Sequence, residues 1–471
     1  MKNAIIFGCG RIGTATYRKL KNQYSILAWS DNNESLWGSK KEGILIVQPI
    51  EIPELLKKEN TDVFVAVENG KKIVEQLRSL QIKNIYIWKK TFFYLVDGLF
   101  PYKENTGMYY KKNKKEETHI LFVSATAGIR DHKTAKAVKK TGKKVHLAYL
   151  KFSPYDIDSE YANIYEDIYS FMSIQALQDF IDNSDFDLVH SSSEPDYITA
   201  LLARSNKPII HDCHDLSSSN RTMFPEELTL EYIAHKEAVG VVYPTEGLRN
   251  EAIRRFGLSW DKTYVLENFT SEELIPHKKK EKISRFDGEL HCVYEGAILE
   301  GDKASKRYFE EIWLKLARSG IHVHFYTNYD INYCHYLESM NPKIHFEGNL
   351  SSKQLSVELS KYDIGLCIYN TNDSNKLYLE HSSPNKLYEY VNAGIPVAVG
   401  NVECHRIFAE ENGFGRQVNM DRELYPQMRT IAEIKIKERI LQEKGFTFES
   451  KIQGLLDFYN QAIEQKKQEN L

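Results

Sequence analysis

Short runs of β-branched and aromatic residues recur along this chain, each followed by a stretch whose apolar positions repeat at helical spacing. NAIIFG, YSILAW, DVFVAV and NIYIW come first. HILFVSA, KVHLAYL, DLVHSS, KPIIHD, VGVVYP and TYVLEN follow, then LHCVYEG, IHVHFYT, KIHFEG, IGLCIY and IPVAVG. Such alternation predicts parallel sheets covered by helices on both faces. It breaks twice, in the lysine- and aromatic-rich stretch 89–117 and in the charged connector 276–290. No repeat of solenoid period is visible. The expected division is therefore a Rossmann-like module over 1–90, a linker over 91–117, two further α/β domains over 118–280 and 281–448, and a C-terminal helix and tail over 449–471.

Composition narrows the picture modestly. At 471 residues with 42% apolar content, the chain has room for two or three cores. Its 62 basic and 65 acidic side chains leave a net charge of −3, which gives no footing for broad nucleic-acid binding. The six cysteines lack CxxC spacing, which argues against a disulfide framework or a zinc site and for a reducing compartment. The opening MKNAIIFGCG runs straight into a strand, and no eighteen-residue apolar run exists. The expectation is a cytoplasmic protein, with no resident metal. Between the first two domains, seven lysines lie among aromatics over residues 88–115. This stretch reads as a packing surface with solvated lysines, or as a contact with the inner face of an anionic membrane.

The most informative window is HSSPNKLYEYVNAGIPVAVG, residues 381–400. Ser383 reads as an N-cap and Pro384 as the first helical residue; Leu387, Tyr390 and Val391 mark the buried face, and Gly394 ends the helix. A helix N-terminus suits phosphate, Lys386 would add a mobile charge, and Glu389 would stand about 7 Å farther along the axis. That is a fitting separation for a ribose. The plain alternative is a capped helix with Lys386 and Glu389 as an exposed surface pair. In the N-terminal module Gly8, Gly10 and Gly13 follow a strand and open a helix, and Asp31 ends the next strand. This is a nucleotide fingerprint, although such glycines also serve tight structural turns. His211, Asp212 and Asp215 do not read as a metal cluster, because strand neighbours face opposite ways.

SPNKLYEYVNAGIPV resembles the donor-binding segment of retaining GT-B glycosyltransferases of the family-4 type. KIHFEGNLSSKQLSVELSKYDIGLCIY, KPIIHDCHDL and GVVYPTEGLRNEAIRRFGLSWDKTYVLENF are similar to other segments of that family in the same order, over residues 118–448. The resemblance implies an α/β chain of two facing Rossmann-like GT-B domains behind the additional N-terminal Rossmann-like module. It implies transfer of a sugar from a nucleoside-diphosphate donor to a glycan, lipid-linked or protein hydroxyl with retention, in bacterial surface polysaccharide or glycoconjugate synthesis, and no cofactor is required. His214 and Glu389 take the catalytic positions. Gly296, Lys303, Arg307, His381, Ser382, Ser383, Pro384, Asn385, Lys386 and Leu387 surround the donor, and Gly128 and Arg130 lie on the acceptor side. The family often has a second glutamate eight residues before the one matching Glu389; here that position is His381, beside Glu380. The N-terminal module resembles nucleotide-binding modules attached to sugar-modifying enzymes, which implies a nucleotide there. Two other readings stay open: a nicotinamide-dependent oxidoreductase acting on a sugar nucleotide, and a non-catalytic sugar-nucleotide scaffold.

Overall fold

The computed structural model describes residues 2–21, 24–57, 61–67, 70–82, 84–89, 92–95, 117–125, 128–150, 159–171, 174–192, 195–220 and 223–469. The chain forms two compact units, one of Met1–Cys213, Arg221–Val239 and Ala462–Leu471, the other of His214–Asn220 and Gly240–Gln461.

The first unit opens with strands β1 (Lys2–Phe7), β2 (Tyr24–Ser30), β3 (Lys40–Lys41), β4 (Ile44–Val47), β5 (Thr61–Val65), β6 (Ile85–Lys89) and β7 (Phe92–Leu95). Their order is β3-β4-β2-β1-β5-β6-β7, parallel at the centre and antiparallel at both edges. Ile5 and Phe7 enter one core cluster and Ile6 the other, so the sheet is buried on both faces as the strand pleat requires. The unit continues with β8 (His119–Ser124), β9 (Lys144–Leu150), β10 (Ile168–Phe171), β11 (Leu188–Ser192) and β12 (Ile209–Asp212), parallel in the order β10-β9-β8-β11-β12.

The second unit carries the parallel pair β13 (Gly240–Tyr243) and β14 (Thr263–Val265). It also holds β15 (Leu290–Glu295), β16 (Ile321–Tyr326), β17 (Ile344–Phe346), β18 (Ile364–Cys367), β19 (Val397–Val399) and β20 (Gly415–Gln417). These six are parallel in the order β17-β16-β15-β18-β19-β20. Strand order reverses between β15 and β18, and open sheets of this kind receive ligands beyond the strand ends at that point.

Every strand the sequence pattern predicts is present. The pattern missed β3, β4, β7, β10 and β20, of which all but β4 are sheet edges. The aromatic-basic stretch lies outside the described residues over 96–116, and with it the reading of a packing or membrane surface. Among the described residues no helix is long and apolar enough to cross a membrane. The chain closes on the helix Phe448–Glu469.

The helix Asn385–Ala393 is seated on the reversal point. Pro384, at φ −70° and ψ 131°, is its N-cap, one residue later than predicted. Ser383 is unavailable as the cap because its carbonyl accepts from Asn268 Nδ2 at 2.7 Å and its hydroxyl faces that of Tyr388. Gly394 ends the helix in the left-handed region at φ 81°, as expected. Leu387, Tyr390 and Val391 are buried. The Tyr390 ring lies against Gly365, where an added Cβ would come within 2.2 Å. Its hydroxyl accepts from the Glu295 amide at 3.1 Å and donates to the Leu366 carbonyl at 3.3 Å, bridging β15 and β18. Tyr390→Phe removes both partners from a buried amide and a carbonyl, and is expected to lower stability by about 1–3 kcal/mol. Denaturant unfolding checks this; an unchanged midpoint would show that the bridge carries no weight.

Candidate functional site

The amino end of the Asn385 helix has no side-chain cap, and the Leu387 amide donates to the Pro384 carbonyl at 3.1 Å. Lys386, on that turn, is 8% exposed. Its ammonium sits 4.1 Å from the Tyr294 ring centroid and 5.2 Å from that of Tyr369, and donates to the Tyr369 hydroxyl at 3.3 Å. This corrects both the mobile charge and the exposed surface pair. Burial works against the ammonium, but Tyr294, Tyr369, Cys367 and Glu295 outweigh it and hold the pKa above the ordinary lysine value. Gly296 makes room: at φ 121°, a Cβ there would stand 3.4 Å from Lys386 Nζ.

A second cation comes from the loop after β15. Lys306 Nζ lies 3.2 Å from the Tyr378 ring centroid, and Tyr378 donates to Asp215 Oδ2 at 3.1 Å. Burial pushes the Lys306 pKa down to about 7; Asp215 opposes this, while Arg307 and Lys386 reinforce it. Lys306, Arg307 and Lys386 therefore form one electrostatic group. Arg307 is exposed. Lys303 is exposed as well, with its ammonium 3.9 Å from Glu311. Lys306, missed from the sequence, lies between these two candidates. The loop is shaped from a distance by Asn370, whose Nδ2 donates to the Lys303 and Ser305 carbonyls at 2.8 and 3.0 Å, and by Asn372, which donates to that of Ala304 at 2.8 Å.

Glu389 is half-buried one turn along the helix. His381, at the position of the absent glutamate, has its carbonyl bound by Thr245 Oγ1 at 3.0 Å, and its Nδ1 would be 2.7 Å from a Cβ on Gly247. Burial lowers its pKa. Glu380 does not substitute for the glutamate, because its carboxylate accepts from the Glu403 amide at 2.9 and 3.1 Å and caps the next helix, Glu403–Glu411. Ser382 Oγ lies 3.1 Å from His405 Nε2. His214 is half-buried and precedes Asp215.

Residues 134–274 match Glycosyltransferase Family 4, residues 310–453 the Glucosyltransferase 3-like, C-terminal domain, and residues 1–88 the C2185-like, N-terminal domain. The chain is a family 4 glycosyltransferase. Its fold is GT-B, two parallel-sheet Rossmann-like domains, with an additional N-terminal mixed-sheet domain. Family 4 glycosyltransferases are retaining enzymes. A glycosyltransferase from Rickettsia africae ESF-5 is similar in fold, with TM-score 0.53 and 13% identity over 74% of this chain and 99% of that one. AviGT4, a glycosyltransferase involved in Avilamycin A biosynthesis, gives TM-score 0.50 and 11% identity over 74% and 98%. No curated protein matches the chain in sequence.

In the glycosyltransferase's first unit two candidates have partners within the chain. Arg130 is buried and donates to Asp212 through Nε and Nη2 at 2.9–3.1 Å, and Asp212 also lies 3.2 Å from His190 Nε2. Gly128 is the N-cap of the helix Ile129–Lys140, and its amide donates to Asp131 at 2.7 Å. His211 takes different partners from Asp212, Thr199 at 2.9 Å and Asp196 at 3.4 Å, as strand alternation predicts. In the N-terminal domain Gly10 caps the helix Arg11–Leu20, and a Cβ on Gly13 would stand 1.9 Å from the Gly8 carbonyl oxygen. Asp31 accepts from the Cys9 amide at 2.7 Å and the Asn33 amide at 3.0 Å. Both its oxygens are thus engaged by the chain's own backbone.

Lys306 is cationic below about pH 7 and neutral above it. Affinity for an intact sugar nucleotide, whose diphosphate stays ionised, is therefore expected to fall as pH rises through this range, and Lys306→Arg is expected to flatten the profile. Titration of binding against pH checks this; identical profiles in the two proteins would remove Lys306 from the site.

Proposed function

We propose that the second unit binds a nucleoside-diphosphate sugar at the amino end of the Asn385 helix and that the enzyme transfers its sugar to an acceptor hydroxyl with retention. The observation that carries this reading is the gathering of Lys306, Arg307 and the buried Lys386 beside an uncapped helix turn at the strand-order reversal. The amino end of the helix, with the three cations, receives the diphosphate, and Glu389 accepts from the ribose hydroxyls. His214 stands near the donor sugar. As the glycosidic bond breaks, negative charge collects on the leaving diphosphate, where fixed cations and amides stabilise it without reorganising. The departing phosphate oxygen can take the acceptor proton, so no separate base is assigned. The proposed setting is cytoplasmic assembly of a bacterial surface polysaccharide or glycoconjugate.

One observation favours a binding scaffold instead: His381 occupies the second glutamate position, and Glu380 is spent on a helix cap. A panel of sugar nucleotides with nucleoside diphosphate release as the readout separates the two readings. The enzyme is expected to turn over one donor, with release persisting in EDTA. Glu389→Ala should reduce donor use by about 10- to 100-fold, since hydrogen bonds to a charged group contribute about 1.5–3 kcal/mol. Thermal stabilisation with no release from any donor would establish the scaffold.

A further inference from the structure

At the ends of β15 and β16 away from Gly296, four histidines share one face of the sheet. His291 pairs with His322 across β15 and β16, and His324 with His345 across β16 and β17. Ile321, Val323 and Phe325, the alternate residues of β16, face the apolar core, so the histidines occupy the opposite side. His291 and His324 are 3% and 6% exposed.

The arrangement of ring nitrogens is unusual. His291 Nε2 is 2.9 Å from Asp287 Oδ2, and His324 Nδ1 is 2.7 Å from Glu347 Oε1. A carboxylate only accepts, so each of these outer nitrogens carries a proton. In neutral rings the inner nitrogens, His291 Nδ1 and His324 Nε2, then both hold lone pairs, yet they face one another at 2.9 Å. Something positive belongs between them. One ligand atom from each of His291, His322 and His324 lies within 4.8 Å of the other two.

We propose that His291, His322 and His324 form a binding site for a divalent transition metal of the zinc type. Imidazole suits Zn2+, Cu2+ and Ni2+, and a carboxylate on the outer nitrogen is the usual way a metal-binding ring is oriented. Asp287 and Glu347 serve His291 and His324 in that way, and Glu289 lies 2.8 Å from His322 Nε2. Lys343 also approaches that nitrogen, at 2.9 Å, with its charge paired to Glu289. At a Zn–N distance of about 2.1 Å, two tetrahedral ligands stand about 3.4 Å apart, so the facing nitrogens need only a small separation to admit the ion. The ion would join β15 to β16 at the end of the sheet remote from the donor, and its effect is on stability rather than transfer.

The full-length protein, stripped with EDTA and dialysed, is titrated with zinc sulfate and its metal content measured. One equivalent is expected, with a rise in melting temperature. His291→Gln and His324→Gln should abolish the tight equivalent, and Glu347→Gln should weaken it about tenfold. All three variants should keep the thermal shift given by a sugar nucleotide, which shows that they are folded and separates this site from the donor site. Cobalt substitution in the unaltered protein gives a reading independent of the variants. A spectrum without thiolate charge transfer supports the histidine site. A thiolate band would place the metal at the buried group His211, Cys213 and His235 and overturn the proposal. Absence of stoichiometric zinc, or zinc retained in His324→Gln, would overturn it equally.

Discussion

Burial of one lysine ammonium organises the six-stranded sheet of the second unit. Lys386 lies between two tyrosine rings and beneath a glycine, where desolvation would expel a charge that had no compensation. Three features of the sequence meet that demand. Gly296 leaves the space, Tyr294 and Tyr369 supply ring faces and a hydroxyl, and the Asn385 helix holds the lysine stem. Tyr390, on the same helix, ties β15 to β18 by hydrogen bonds, so the element that carries the cation also joins the strands at the reversal. A cation fixed in this way needs no rearrangement when charge develops on a leaving group.

The sheet of the second unit therefore has two chemically distinct ends. Toward Gly296 it gathers cations, tyrosines and a helix amino end without a side-chain cap. Toward His291 it gathers imidazoles with carboxylates behind them. The strand pleat makes this compatible with a single apolar core, since Val323 and Phe325 serve the core while His322 and His324 turn to the other face.

Much of the architecture was legible because burial on both faces writes itself as apolar runs at regular spacing. The missed strands lie mainly at edges, where β3 has two lysines and β20 reads Gly-Arg-Gln, and short polar edges lose that signal. The Asn385 helix and its Gly394 stop were local features and were read correctly. Its start was displaced by one residue because Asn268, 115 positions away, claims the Ser383 carbonyl. Distance in sequence also hid the chemistry. Arg130 meets Asp212 across 82 positions, and Lys386 meets Tyr294 from a helix far along the chain. Lys306 was overlooked in favour of its neighbours because Asn370 and Asn372 decide which side of the loop faces inward. Gly8 and Gly10 do lie between β1 and the helix Arg11–Leu20, and Asp31 accepts from backbone amides of the two turns beside it.

The most direct measurement is a crystal structure of the full chain soaked with a nucleoside diphosphate, UDP and GDP in separate crystals. The account predicts a diphosphate against the first-turn amides of the Asn385 helix with Lys306 and Lys386 in contact, and a ribose at Glu389. Density confined to the Gly8–Gly13 loop, with nothing beside Lys386, would contradict it.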